Sequence, residues 1–278
     1  MSPSSLQAAD LRIAVVLSTG TGAYQEFAES FRTTVSPNHK VQIVTLGEEY
    51  PPVDLVVAVG MKATVATTPS ATPVLSVLVP RFGFESISRA PAKQLSAIFL
   101  DQPMARRISL IHAALPQTKA IGVLISDETS ELASAKQLSS AFGFRLHIQT
   151  VSTPDQLASG LSALLADSDV LLVLPDAEIY RSDTIRNILL ETYRQQVPMI
   201  GLSQNYVRAG ALCAVYSTPM QIADQAARIV SQFARTGKLP DYQYPQEFEV
   251  AVNTQVARSL GLTIKSAEQL RNEIGGRP

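Results

Sequence analysis

The sequence of 278 residues has no tryptophan, one cysteine (Cys213) and three histidines. A lone cysteine excludes an internal disulfide and any metal site built from several cysteines. His39, His112 and His147 lie far apart in the chain, and the sequence contains no His-Glu-x-x-His, no paired metal-ligand spacing and no Gly-x-Ser-x-Gly elbow. Zinc-hydrolase and serine-hydrolase chemistry therefore lack sequence support, and neither a metal nor a cofactor is expected. Charge is also scarce: 17% of residues are charged, with 23 Lys+Arg against 24 Asp+Glu and a net of −1. Without a basic excess or stripe, a nucleic-acid partner is not expected, and no helix-turn-helix precedes residue 11. Apolar runs are short, residues 170–174 being typical, against about 18 needed to cross a bilayer, so no membrane span is expected. Residues 1–10 are small and polar, with neither a basic n-region nor an apolar h-region. They read as a flexible start, equally compatible with a cytoplasmic chain and with a mature one whose signal peptide has been removed.

What is abundant is buried-strand material. Hydrophobic residues make up 46% of the chain, enough for a sizeable core and too many for disorder. Short β-branched runs at 12–18, 41–46, 54–60, 74–80, 120–126, 145–151, 169–175, 198–203 and 211–217 alternate with helix-length amphipathic stretches. Several runs are apolar on both faces, as strands covered by helices on each side must be. The helical stretches at 104–115, 157–165 and 222–233 carry apolar residues at three- and four-residue spacing. Thr153-Pro154-Asp155 reads as a helix start and Thr236-Gly237, with Pro240 beyond, as a helix stop.

This is the α/β pattern, and it runs twice, over about 11–98 and 119–205, with 97–103 as an extended crossing. The expected architecture is two Rossmann-like lobes with parallel sheets joined by a hinge. Residues 11–98 plus about 206–238 would form the first lobe, and 99–205 plus about 239–278 the second. A ligand cleft is expected at the carboxyl ends of both sheets.

Candidate ligand residues follow from those strand ends. Ser18-Thr19-Gly20-Thr21-Gly22 offers hydroxyls and backbone N–H groups, although it lacks the third glycine of a dinucleotide loop and also reads as an ordinary turn. Gly60-Met61 ends a strand at a glycine, where backbone and ligand can approach closely; Lys62 beside it reads first as a solvated side chain. Pro80-Arg81-Phe82-Gly83 places a guanidinium and an aromatic ring at another strand end, suited to a carboxylate and a planar group, or to a surface arginine beside packed rings. Asp127 follows a strand and reads as a helix cap first and a ligand contact second. Asp176 and Tyr180, within Pro175-Asp176-Ala177-Glu178-Ile179-Tyr180, form the strongest polar candidate, with capping as the alternative for Asp176. Ser203 and Tyr216 complete the set, Tyr216 near the hinge. His112, His147 and Cys213 read as packing or surface residues.

Residues 97–264 carry a family likeness. It rests on Val170-Leu-Leu-Val-Leu-Pro-Asp176, Val197-Pro-Met-Ile-Gly201, Arg208-Ala-Gly-Ala-Leu212, Thr236-Gly-Lys-Leu-Pro240 and Val250-Ala-Val-Asn253 running to Leu260-Gly-Leu-Thr-Ile264. These segments, with Ala97-Ile-Phe-Leu-Asp-Gln-Pro103, resemble the ABC-transporter substrate-binding protein family whose better-known members bind tryptophan or tyrosine. The resemblance implies a type I periplasmic-binding fold and an exported, signal-stripped protein, periplasmic or otherwise extracytoplasmic. It also implies a small-molecule ligand and a membrane permease as partners. Where the family usually has a longer first lobe and an Asp-Pro-Val-like element after its fourth strand, this chain has Pro80-Arg81-Phe82-Gly83. Ligand identity stays open across that change, an aromatic amino acid being one candidate.

The expectation is thus a binding protein without catalysis. Arg81 would hold an anionic group, Asp176 a cation or hydroxyl, and the aromatics the flat body of the ligand. The alternatives are a ligand-sensing domain of a signalling system, or an enzyme on a similar scaffold acting on a sugar or nucleoside.

Overall fold

The computed structural model describes residues 10–88 and 94–275. Apart from Asp10, the start expected to be flexible lies outside the described residues. The chain divides into two compact units, Met1–Asp101 with Ser217–Glu247, and Gln102–Tyr216 with Phe248–Pro278.

The first unit runs β1 (Arg12–Leu17), α1 (Ala23–Val35), β2 (Lys40–Thr45), β3 (Leu55–Val59), α2 (Met61–Thr67), β4 (Val74–Val79), α3 (Arg81–Ile87) and β5 (Leu95–Phe99). Its sheet has the order β2-β1-β3-β4-β5, with every pairing parallel. Strand alternation sorts the core into two layers. Ile13, Val15 and Leu17 pack with Phe27 and Phe31 of α1, whereas Ala14 and Val16 pack with Ala63 of α2.

The second unit contains α4 (Met104–Ala114), β6 (Ala120–Ile125), α5 (Ser130–Ala141), β7 (Arg145–Thr150), α6 (Gln156–Ala166), β8 (Val170–Leu172), α7 (Ile185–Arg194), β9 (Met199–Gly201), α8 (Gln204–Ala209) and β10 (Cys213–Tyr216). The chain then returns to the first unit as α9 (Pro219–Thr236). It finishes in the second unit with β11 (Glu249–Val252), α10 (Thr254–Ser259) and α11 (Ala267–Gly275). The second sheet has the order β11-β10-β9-β8-β6-β7. All its pairings are parallel except β10 with β11.

Helix α9 joins the first unit through chemistry visible in its sequence. Thr218 and Gln221 form a reciprocal capping box, a proline opens the helix and Gly237 closes it in the left-handed conformation. Its apolar stripe of Ile222, Ala226, Val230 and Phe233 enters the same core layer as α1.

The lobe boundaries differ from those expected. β10, assigned in sequence to the first lobe, pairs with β9 in the second sheet, because its fully buried Cys213 and Ala214 need a strand neighbour and covering layers. Residues 239–247, assigned to the second lobe, belong to the first unit. There the Gln243 backbone bridges Ile98 on the β5 edge, and the Gln225 amide of α9 donates to the Gln243 side chain at 2.8 Å. The expected crossing at 97–103 begins inside strand β5, and residues 99–101 also fall in the first unit. Strand β11, absent from the sequence reading, is a short half-exposed strand whose alternation spans only four residues.

Candidate functional site

Leaving aside the antiparallel β11, the two sheets share one plan: β2-β1-β3-β4-β5 and β7-β6-β8-β9-β10. In each, the strand order reverses between the first and third strands, and in open α/β sheets ligands bind at the carboxyl ends of strands at that switch point.

In the first unit the switch lies between β1 and β3. Ser18 spans it: its hydroxyl donates to the Val59 carbonyl at 2.8 Å and accepts the Ala63 N–H at 2.9 Å. The turn from Thr19 to Gly22 is exposed above the strand ends. Among the described residues, neither the Thr19 nor the Thr21 hydroxyl is bonded to a protein group, so both are open to a ligand. Gly60 has φ +83°, and a Cβ there would lie 2.7 Å from the Tyr24 ring and 2.8 Å from the Ser18 hydroxyl. The Tyr24 ring therefore lies against bare backbone at the end of β3. Met61 is placed likewise, its thioether 3.2 Å from where a Cβ on Gly83 would be.

The Pro80-Arg81-Phe82-Gly83 segment opens α3 after β4. Phe82 is 60% exposed, a large ring without a protein cover. Arg81 behaves differently: its Nε donates to Glu85 and its Nη1 to the Tyr244 hydroxyl, each at 2.6 Å, and its backbone N–H is taken by Asp101. Its guanidinium is thus already engaged by a carboxylate and a phenol of its own unit.

In the second unit the switch lies between β6 and β8, and the bridge is again a serine. Asp176 Oδ2 accepts the Ser126 N–H at 2.7 Å and the Ser126 hydroxyl at 2.9 Å. Its Oδ1 accepts the N–H groups of Glu178 and Ile179 at 3.0 and 3.2 Å. A carboxylate has about four acceptor positions, so Asp176 is saturated by Ser126 and its own turn. Asp127 is exposed beside it and accepts the Glu128 N–H. The cap of α5 is neither Ser126 nor Asp127 but Thr129, whose hydroxyl accepts from Leu132.

Tyr180 packs into the cluster of β8, α6 and α7 and directs its hydroxyl to the Leu124 carbonyl at 3.4 Å; burial pushes its phenol upward. Ser203 precedes α8 and makes no side-chain cap there. Tyr216 ends β10 opposite Glu249, and burial followed by the Glu249 charge raises its phenol. The sequence candidates thus fall at the carboxyl ends of both sheets. Thr19, Thr21, Gly60 and Met61 gather at the first switch point, with Arg81 and Phe82 one strand further along. Asp127 and Asp176 gather at the second, and Ser203 and Tyr216 lie along β9 and β10.

Sequence reasoning missed Arg107. This α4 side chain is 3% exposed, donates to the Val173 carbonyl just past β8, and lies 4.0 Å from Glu131 of α5. Its charge opposes the upward shift that burial imposes on Tyr180 and Tyr206. The available signal was a cation on the apolar face of a helix, between Met104 and Ile111. Cys213 is fully buried and its thiol is pushed up to about 12, as expected of a packing residue.

No helix among the described residues is long and apolar enough to cross a membrane. The family model of ABC transporter substrate binding proteins matches residues 36–272. No curated protein matches the chain. Among solved structures, a conserved domain protein from Vibrio cholerae is 21% identical with a TM-score of 0.66, over 95% of this chain and 98% of that one. An ABC domain in complex with L-Trp from Streptococcus pneumonia is 16% identical with a TM-score of 0.66, over 95% and 98%. A ligand-free, open substrate binding protein with adhesive properties from Clostridium difficile is 15% identical with a TM-score of 0.74, over 93% and 97%. At these identities the structures establish a shared fold, the two-lobed α/β fold of periplasmic binding proteins. With the family model spanning most of its length, the chain belongs to the ABC transporter substrate-binding protein family.

Proposed function

We propose that the chain is the extracytoplasmic solute-binding component of an ABC transporter, taking a small polar or amphipathic ligand, an aromatic amino acid first, and performing no catalysis. The observation that carries this reading is the duplicated switch point. Each unit ends its first strand at a serine that ties it to the third, with exposed polar turns beside it. Such paired sites suit capture by closure of two lobes, in which binding energy selects the closed state. A membrane permease would then read that state and receive the solute, as family membership supports. The mature chain would act in the periplasm or an equivalent compartment, its signal peptide removed.

Thr19, Thr21 and the backbone around Gly60 would receive the polar end of the ligand. Met61, Tyr24 and the exposed Phe82 would receive a flat apolar body. From the second unit Asp127, Ser203 and Tyr216 would supply the remaining contacts. Arg81, Asp176 and Tyr180 would shape the walls, since their polar groups already have partners. The L-Trp complex of the Streptococcus structure supports trying aromatic amino acids first.

The test is a thermal-shift and calorimetric screen of amino acids, sugars and nucleosides. A ligand at one hundred times its Kd stabilises by about 2.7 kcal/mol. Stabilisation by L-Trp or L-Tyr, weakened about tenfold in Phe82→Ala and Thr21→Val, supports the reading. Turnover of any compound, or stabilisation by none, contradicts it.

A further inference from the structure

Away from both strand-end sites, the first unit carries an open groove of about 640 Å³ between the end of α1 and the outer face of α9. Asn38 and His39 form one wall, and Asp224, Arg228, Gln232 and Arg235 the other. Arg228 and Arg235 are seven residues apart on one helix face, roughly 10 Å along its axis. Both are exposed. Other arginines of this unit have carboxylates: Arg12 pairs with Asp54, Arg32 with Glu29 and Arg81 with Glu85. Among the described residues neither Arg228 nor Arg235 has one; Arg228 donates only to the Gln246 amide oxygen at 3.2 Å. His39 adds a further donor. Its Nδ1 accepts the Leu11 N–H at 3.3 Å, which leaves the proton of the neutral imidazole on Nε2. Burial favours that neutral form. Among the described residues lining the groove Asp224 is the one carboxylate; the Asp10 charge also acts on His39, opposing the effect of burial.

The chemistry that fits is an anion with more than one charged group. A single phosphate or carboxylate is far smaller than the groove and short against the roughly 10 Å of helix between the two arginines. An anionic bilayer is read by clusters of four to eight basic residues, and here two face one acid. An acidic chain in the polyproline II conformation, with three residues per turn at about 3.1 Å each, carries carboxylates three residues apart on one side and about 9 Å from each other, which matches the spacing.

We propose that the α1–α9 groove docks an acidic segment of a partner protein, an acid-x-x-acid stretch whose carboxylates engage Arg228 and Arg235. The groove lies on one unit, apart from the ligand turns, so docking there is independent of which solute the protein carries.

The experiment is backbone-amide NMR titration at low ionic strength with the peptide Gly-Asp-Gly-Gly-Asp-Gly, its Asn counterpart, inorganic phosphate and phosphatidylglycerol vesicles. The expected result is that the Asp peptide shifts amides of 34–39 and 224–236 and the Asn peptide does not. The double variant Arg228→Gln, Arg235→Gln should weaken the Asp peptide about fivefold to tenfold. Arg235→Gln alone breaks no described hydrogen bond, and it repeats the test at smaller amplitude should the double variant unfold. Equal shifts by the Asn peptide, or unchanged binding by either variant, overturn the proposal. Phosphate binding as tightly as the peptide makes this a small-anion site, and vesicle binding that depends on the arginines makes it a membrane surface; both also overturn it.

Discussion

Asp176 holds Ser126 twice, through its backbone N–H at 2.7 Å and its hydroxyl at 2.9 Å, and so locks the ends of β6 and β8 in register. Ser18 does the same work in the first unit with different partners, bridging the Val59 carbonyl and the Ala63 N–H. The two units therefore reach the same arrangement by different chemistry: a serine hydroxyl held between two backbone groups on one sheet and a carboxylate clamp on the other. A carboxylate that reads in sequence as a ligand hook is, in the fold, what holds the turns at the ends of β6 and β8 in place.

Replacing Asp176 with Ala removes the acceptor of four hydrogen bonds, three of them from backbone N–H groups. The expected loss is about 2–3 kcal/mol by urea unfolding, against about 1 kcal/mol for Ser126→Ala. In a double-mutant cycle the pair should couple by about 1 kcal/mol. Strict additivity would mean that the two residues do not act together.

Gly60 and Gly22 separate strain from collision. Both have positive φ, +83° and +61°, but a Cβ at Gly60 meets the Tyr24 ring and the Ser18 hydroxyl whereas one at Gly22 meets nothing within 4 Å. Gly22→Ala should cost about 1–2 kcal/mol from backbone conformation alone. Gly60→Ala should cost at least about 1 kcal/mol more and displace Tyr24, visible as a change in its ring NMR signals. Equal Tm values for the two variants would refute the collision.

How far the sequence reached depends on how far each signal travels along the chain. Buried parallel strands such as Val74–Val79 are apolar on both faces and announce themselves. The capped, amphipathic α9 does too. Which sheet a strand joins is decided by long-range pairing, so β10 went to the wrong lobe although its position in the chain was legible. At the site, positions after strand ends were legible because topology fixes them. The fates of Arg81 and Asp176 were not, because Tyr244 lies 163 residues from the one and Ser126 lies 50 from the other.

Arg107 carries charge into the second unit's core at 3% exposure, beside Glu131 at 9%. Arg107→Met fills similar volume but removes the donor to Val173 and the charge facing Glu131. Breaking one side of a buried pair costs about 3–5 kcal/mol, so the expected change is a loss of about 3 kcal/mol in denaturant unfolding. Glu131→Gln added to Arg107→Met should recover part of it. Recovery of nothing would show that the glutamate charge is not what the arginine balances.

Cys213 gives the chain an alkaline limit. Its thiol rises from an ordinary 9.0 to about 12 because burial penalises the thiolate. Above pH 9 the unfolded chain releases a proton that the folded chain keeps, so this contribution to stability is complete below about pH 9 and is lost as pH rises towards 12. The slope approaches about 1.4 kcal/mol per pH unit. Cys213→Ala should flatten stability between pH 9 and 11 relative to the parent protein, at some cost at neutral pH from the smaller side chain. The same burial predicts that a thiol reagent labels Cys213 only as fast as the second unit opens, with labelling accelerated by urea. Rapid labelling of the native protein at neutral pH would contradict both expectations.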